Sequence, residues 1–178
     1  HLDFGVLGNK FVMHTLGSMG YGNVGHKMLA QRTFPGVGEW ISRGATTLWE
    51  CWNGGGSHNH HMFSDMSSFL YKYVAGIAPD EEAPGFRRIV FRPAISCGMS
   101  YAKARHESMY GKVACAWENA ENTLSLTLSI PFGCEGVVYL ADEFADVLAE
   151  NGVRFTDMAE RMENGAWRLP CGEYTFQK

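Results

Sequence analysis

The sequence predicts an α+β chain in two parts, a group of helices followed by an antiparallel β-sandwich, and three observations predict it. Apolar residues recur at three-and-four spacing up to about residue 77. From residue 88 they alternate with polar ones instead. Between the two regimes lies Ala78-Pro79-Asp80-Glu81-Glu82-Ala83-Pro84-Gly85, acidic and proline-bounded, which is the composition of a boundary. The helical part is therefore placed at 1–83 and the sandwich at 84–178.

Hydrophobic residues make up 46% and aromatics 13% of the 178 positions, enough for a packed core and too much for a disordered chain. The formal net charge is −4 with scattered Lys and Arg, which excludes a phosphate-binding stripe and a polybasic membrane patch. Neither nucleic acid nor a membrane is expected as a partner, and no run approaches the ~18 apolar residues of a membrane span. There is no basic-then-apolar leader, but the chain opens at His1 with its apolar pattern already running, so a piece of something longer is expected and compartment stays open. Five cysteines lie far apart without paired spacing and read as reduced, mostly buried thiols.

Leu2, Val6, Leu7, Phe11, Val12, Leu16 and Met19 mark the first helix, although Gly5, Gly8 and Gly17 weaken its propensity. Val24, Met28 and Leu29 mark a second that ends before Thr33-Phe34-Pro35-Gly36. Glycines this frequent in helices imply close helix-to-helix approach. Residues 34–57 read as irregular, with 46–52 as the extended candidate. A third helix is predicted from His60, with Met62, Met66, Phe69, Leu70, Tyr73, Val74 and Ile77 on one face, Ser57 or Asn59 as its cap, and Gly76 with Pro79 at its end. Strands are predicted at 88–92, 100–107, 112–118, 123–130, 136–140, 154–157, 166–169 and 173–176. Leu124, Leu126 and Leu128 alternate with Ser125, Thr127 and Ser129, the pattern of a strand with one dry face. Met109-Tyr110-Gly111, Glu121-Asn122 and Pro131-Phe132-Gly133 read as turns, and 142–150 as a short helix or a loop.

Residues 44–61 hold the densest chemistry: Glu50, Trp49 and Trp52, three consecutive glycines, and His58, His60 and His61. A carboxylate beside two indoles can be partly desolvated and so tuned towards proton transfer, and an indole face suits the apolar face of a sugar ring. An ordinary exposed glutamate near two core tryptophans has the same spacing. The histidines sit at i, i+2 and i+3, whereas helical metal sites favour i and i+4, so capping and hydroxyl contact compete with metal binding. Gly54-Gly55-Gly56 lacks the Lys-Ser or Lys-Thr of a phosphate cradle. Ser57, His61 and Asp65 lack the turn that presents a nucleophilic serine.

The run Gly44-Ala45-Thr46-Thr47-Leu48-Trp49-Glu50-Cys51-Trp52, then Asn59-His60, then residues 69–77, closely resembles the C-terminal part of bacterial α-L-rhamnosidases of glycoside hydrolase family 78. Ala83-Pro84-Gly85-Phe86-Arg87-Arg88, Phe91-Arg92-Pro93 and Ser108-Met109-Tyr110-Gly111 extend the likeness into the second part. The resemblance implies the last helices of an (α/α)6 barrel followed by the family's terminal β-sandwich, and release of terminal α-L-rhamnose from glycans or glycosides with inversion. It places the general base on Glu50 and a sugar contact on His60, with Trp52 as a further substrate-binding candidate, no metal and no cofactor. By the same resemblance the general acid belongs to upstream residues of the parent chain, so the isolated chain is expected to be inactive. Two departures stand out: Cys51 occupies a position where the family usually has Arg, and the loop from Trp52 to Asn59 is short. The rival expectation is a non-catalytic carbohydrate-binding or structural sandwich with a helical extension.

Overall fold

The apolar spacing near the N-terminus is realised as helix in the computed structural model, which describes residues 1–95, 97–120, 123–149 and 151–178. Helix α1 (Gly5–Ser18) buries Asn9, Met13 and Gly17, successive positions of one face. Helix α2 (Gly22–Leu29) buries Gly22 and Gly25. The expected close approach is real: a Cβ on Gly17 would fall 2.2 Å from Tyr73 Cγ, and one on Gly25 would fall 2.4 Å from Phe69 Cζ. These helices give up propensity so that aromatic rings can rest on bare backbone.

Two helical expectations need correction. Val37–Ser42 forms a short helix, α3, inside the stretch read as irregular, and it carries the buried Trp40. The single helix expected from His60 is instead a 3₁₀ turn (His61–Phe63), helix α4 (Asp65–Phe69) and a π-wound stretch (Leu70–Ala75). Phe63, Met66 and Phe69 are buried at every third residue, a spacing that drifts off a 3.6-residue face. The wider π winding then turns Leu70 outward and brings Val74 and Ala75 in. No side chain caps the 3₁₀ turn; Ser57 Oγ accepts instead from the Asn59 amide (3.2 Å).

The chain divides into a helical unit, which runs to Tyr73 and takes in Cys97 and Gly98, and a sheet unit formed by the remainder from Val74. In chain order the strands are β1 (Ile77–Pro79), β2 (Arg88–Phe91), β3 (Tyr101–Ser108), β4 (Gly111–Ala120), β5 (Thr123–Ile130), β6 (Glu135–Val138), β7 (Leu148–Ala149), β8 (Glu160–Arg161), β9 (Trp167–Leu169) and β10 (Gly172–Gln177). They build two five-stranded sheets, ordered β1-β2-β6-β9-β8 and β3-β4-β5-β10-β7. The pairing is antiparallel except between β2 and β6, which run parallel from Arg88↔Glu135 to Phe91↔Val138. A purely antiparallel sandwich is thus corrected at one pair, because the chain leaves the first sheet after β2, builds β3, β4 and β5 in the second, and returns in the same direction.

Leu124, Leu126 and Leu128 form the dry face of β5, joined by Val113, Cys115 and Trp117 of β4 and Phe176 of β10. The sheets meet closely, since a Cβ on Gly136 of β6 would come within 2.7 Å of Ile130 Cδ1 in β5. Ile77–Pro79, expected to end a helix, pair with Ile89–Phe91. Residues 154–157, expected as strand, contain one helical turn, α6 (Phe155–Met158), which drives Phe155 edge-on into Trp167 and Phe176 at 5.7 and 5.3 Å. Asp142–Ala145 is helical (α5). The Glu121-Asn122 turn lies outside the described residues, as does Glu150.

Candidate active site

The stretch 44–61 lies wholly in the helical unit and has no strand, although its backbone doubles back on itself. Glu50 N donates to Ser57 O (2.8 Å), His60 N donates to Leu48 O (2.8 Å), and Thr47 Oγ1 donates to His58 O. Gly54 N closes the turn onto Cys51 O (3.0 Å). The extended candidate 46–52 is therefore one arm of an irregular hairpin whose other arm carries the histidines.

This hairpin sets the posture of Glu50. Ser57 N donates to Glu50 Oε2 at 2.8 Å while Ser57 O accepts from Glu50 N, so the two residues hold each other at both ends. The side chain is half-buried, and a charge-assisted contact from a backbone amide fixes it more firmly than a mobile side chain would. Gly56 makes this possible: its φ is +74°, and a Cβ there would sit 2.5 Å from Glu50 Oε2.

The indoles face the core of the unit. Trp49 and Trp52 are only 7% and 9% exposed. Trp52 stacks on Trp40 at 4.2 Å and tilts against Phe63 at 4.7 Å, and its carbonyl accepts from Trp40 Nε1 (3.1 Å). Trp49 stacks on His58 at 4.4 Å and lies under the Arg43 guanidinium at 4.8 Å. Arg43 also donates to Asn53 O (3.0 Å) and pairs with Glu39 (3.4 Å). Helix α3, through Trp40, and the residue that follows it, Arg43, thus brace the hairpin, and neither stands out in the sequence. Val37, Trp40 and Ile41, at i, i+3 and i+4, were the available signal, masked by the glycines on either side.

The histidines take separate roles. His58 Nε2 donates to Gly54 O (2.9 Å), which assigns its proton to that nitrogen and pins the glycine loop. His60 is half-buried with its ring 6.3 Å from that of His61. His60 Nδ1 and Trp52 Nε1 are buried and lack hydrogen-bond partners among the described residues. Among those residues no three His, Cys, Asp or Glu side chains gather as a metal site would require. What the hairpin offers chemically is one carboxylate in a fixed orientation, together with buried ring nitrogens of His60 and Trp52 that have no partner among the described residues.

The chain is similar to known proteins along nearly its whole length. Residues 1–74 match the family described as the bacterial alpha-L-rhamnosidase 6 hairpin glycosidase domain, and residues 76–154 match the bacterial alpha-L-rhamnosidase C-terminal domain. An alpha-L-rhamnosidase of Streptomyces avermitilis is 32% identical over 157 residues, which is 82% of this chain and 15% of that protein. The crystal structure of a Streptomyces avermitilis alpha-L-rhamnosidase complexed with L-rhamnose superposes with a TM-score of 0.81 at 29% identity, covering 98% of this chain and 18% of that one. An alpha-L-rhamnosidase from Dictyoglumus thermophilum gives the same TM-score at 32% identity, covering 97% of this chain and 20% of its own. The chain thus spans about a fifth or less of the relatives that it matches.

Proposed function

Because this chain belongs to the bacterial α-L-rhamnosidases, we propose that it forms part of an inverting glycoside hydrolase that releases terminal α-L-rhamnose from glycans or glycosides. The helical unit contributes the last helices of an (α/α)6 catalytic barrel, and the sheet unit is the C-terminal β-sandwich domain, with the hand-over between Tyr73 and Pro84. Glu50 is the general base. The observation that carries this reading is the reciprocal hold between Glu50 and Ser57, which aims one carboxylate through Oε2 and leaves its second oxygen without a hydrogen bond among the described residues. A base that activates water needs that free oxygen and a fixed direction.

His60 contacts the sugar through the part of its half-buried ring that stays open, Nδ1 itself being buried. Trp52 has given a ring face to Trp40 and buries its indole N–H, so its part in sugar binding is confined to the 9% of its surface that stays open. Inversion requires a second carboxyl roughly 6.5–9.5 Å from the first, with water between them. Of the other acids in the helical unit, Glu39 is held by Arg43 and Asp65 by His14 (2.9 Å), and Asp3 lies exposed near the N-terminus. The general acid is accordingly assigned to the barrel residues of the parent enzyme that precede this segment.

The test is Glu50→Gln in a full-length enzyme that carries this segment. Turnover of an aryl α-L-rhamnoside should fall by about 10²–10⁴-fold, the usual share of a general base, with L-rhamnose still bound. Turnover within a few-fold of the parent would refute the assignment. Proton NMR of the first-formed anomer reads the stereochemistry, and a retained configuration would refute inversion.

A further inference from the structure

The outer face of the β3-β4-β5-β10 sheet plays no part in the site described above. Register aligns Lys103, Ala116 and Thr127 in one row across β3, β4 and β5, and Arg105, Ala114 and Ser129 in the next. Both rows point away from the dry face, because they alternate with Val113, Cys115 and Trp117 in β4 and with Leu126 and Leu128 in β5. Two alanines between longer side chains leave a trough. A depression of about 630 Å³ lies along these rows, and a second of about 230 Å³ continues from Lys103 and Thr127 to Tyr101, which is 64% exposed.

Lys103, Arg105 and Lys112 line the larger depression against one lining acid, while Glu107, opposite Lys112, stands on the same face outside that lining. The lining acid, Glu173, already accepts from Ser129 Oγ (2.5 Å) and lies 4.0 Å from Lys112 Nζ. Lys103 has no ion pair among the described residues. Glu118 lines only the smaller depression, beyond Ala116. We propose that this trough binds an acidic oligosaccharide, with a sugar carboxylate at Lys103, the ring over Ala114 and Ala116, and sugar hydroxyls at Thr127. An extended peptide is disfavoured, because the main-chain polar groups of β4 and β5 are spent on the ladder and offer nothing for strand addition. Nucleic acid is disfavoured by a net charge of −4 and by the small number of cations at the trough. The site belongs to the sheet unit and goes beyond the catalytic reading, on which it does not depend.

Calorimetric titration of the 178-residue chain with an oligogalacturonate, a neutral cello-oligosaccharide of equal length and a heparin fragment tests it. The probes contain no rhamnose, so failure here leaves the assignment of Glu50 standing. The acidic glycan should bind, the neutral one should not, and added salt should weaken the complex. Lys103→Ala should weaken it about tenfold or more, and Ala116→Leu should abolish it by filling the trough, both with an unchanged far-UV spectrum. No binding, equal binding of the neutral sugar, stronger binding of heparin, or full affinity in folded Lys103→Ala or Ala116→Leu would each overturn the proposal.

Discussion

Gly56 decides whether Glu50 can stand as it does. Any other side chain there must accept a left-handed backbone, at about 1–2 kcal/mol, and must also displace a carboxylate oxygen 2.5 Å away. In a full-length enzyme, Gly56→Ala should lower turnover of an aryl rhamnoside while leaving the far-UV spectrum intact. Unchanged turnover would mean that the hold by Ser57 is dispensable. The cysteines give a second test at this scale. Burial pushes the Cys115 thiol up to about 12, and Cys134 is raised as well, chiefly by burial. At pH 8 a thiol titrating near 12 is almost wholly protonated, and only the thiolate attacks. Cys51 and Cys171 are exposed, whereas Cys97, Cys115 and Cys134 are buried. Native protein at pH 8 should therefore release about two equivalents in a fast reaction with a disulfide reagent, rising to five in guanidinium. Rapid modification of Cys115, read by peptide mass mapping, would contradict this packing.

Between the helices and the first strand, Gly76 has a φ of +88°, and a Cβ there would strike the backbone of Arg92 and Pro93 at 2.4 Å. Neither neighbour can swing aside as a side-chain tip would, because Gly76 O also accepts from Arg92 N (2.9 Å). Gly76→Ala should cost about 2–5 kcal/mol in urea unfolding, the sum of backbone strain and overpacking. Gly133 is the control: its φ is +76° with nothing within 4 Å of a Cβ, so Gly133→Ala should cost only the strain, about 1–2 kcal/mol. Equal losses would show that the contact with Arg92 and Pro93 is unimportant. Gly76 also marks the limit of what the sequence makes legible. Strands such as β5 could be read because apolar residues alternate with Ser and Thr for eight residues, and α1 because its apolar residues span four turns. Helix α3, β1, β7 and β8 are too short for a period to emerge, at six, three, two and two residues. Phe155 reads as a strand residue by its neighbours, yet a single helical turn is what brings its ring to Trp167 and Phe176. The candidates Glu50 and His60 rest on motif and order alone. The inward turn of Trp49 and Trp52 depends on Trp40, which no pattern local to 44–61 reveals.

For the molecule as a whole, the helical unit carries an apolar stripe out of proportion to an isolated structure. Phe4, Leu7 and Phe11 fall at i, i+3 and i+7 and are 46%, 68% and 67% exposed, opposite the buried Asn9, Met13 and Gly17. Contiguous exposed apolar surface of this kind marks a face built to be covered. In the proposed barrel the preceding helices cover it, and they also bring the general acid to the far side of the sugar from Glu50. On that proposal the two halves of the reaction reside in separate stretches of sequence and neither would work without the other, since one carboxylate cannot both protonate the leaving oxygen and activate the water on the opposite face. The 178-residue chain alone should therefore release no p-nitrophenol from the aryl α-L-rhamnoside above the buffer rate, even at high protein concentration. A full-length relative assayed alongside should turn over at about 1–10³ s⁻¹. Grafting residues 1–178 in place of the matching region of that relative should retain activity, and the graft with Glu50→Gln should lose it. Release of p-nitrophenol by the isolated chain that survives Glu50→Gln would place the chemistry elsewhere in the molecule. Release that Glu50→Gln abolishes would mean that the acid is already among these residues, with Asp3 the first to replace.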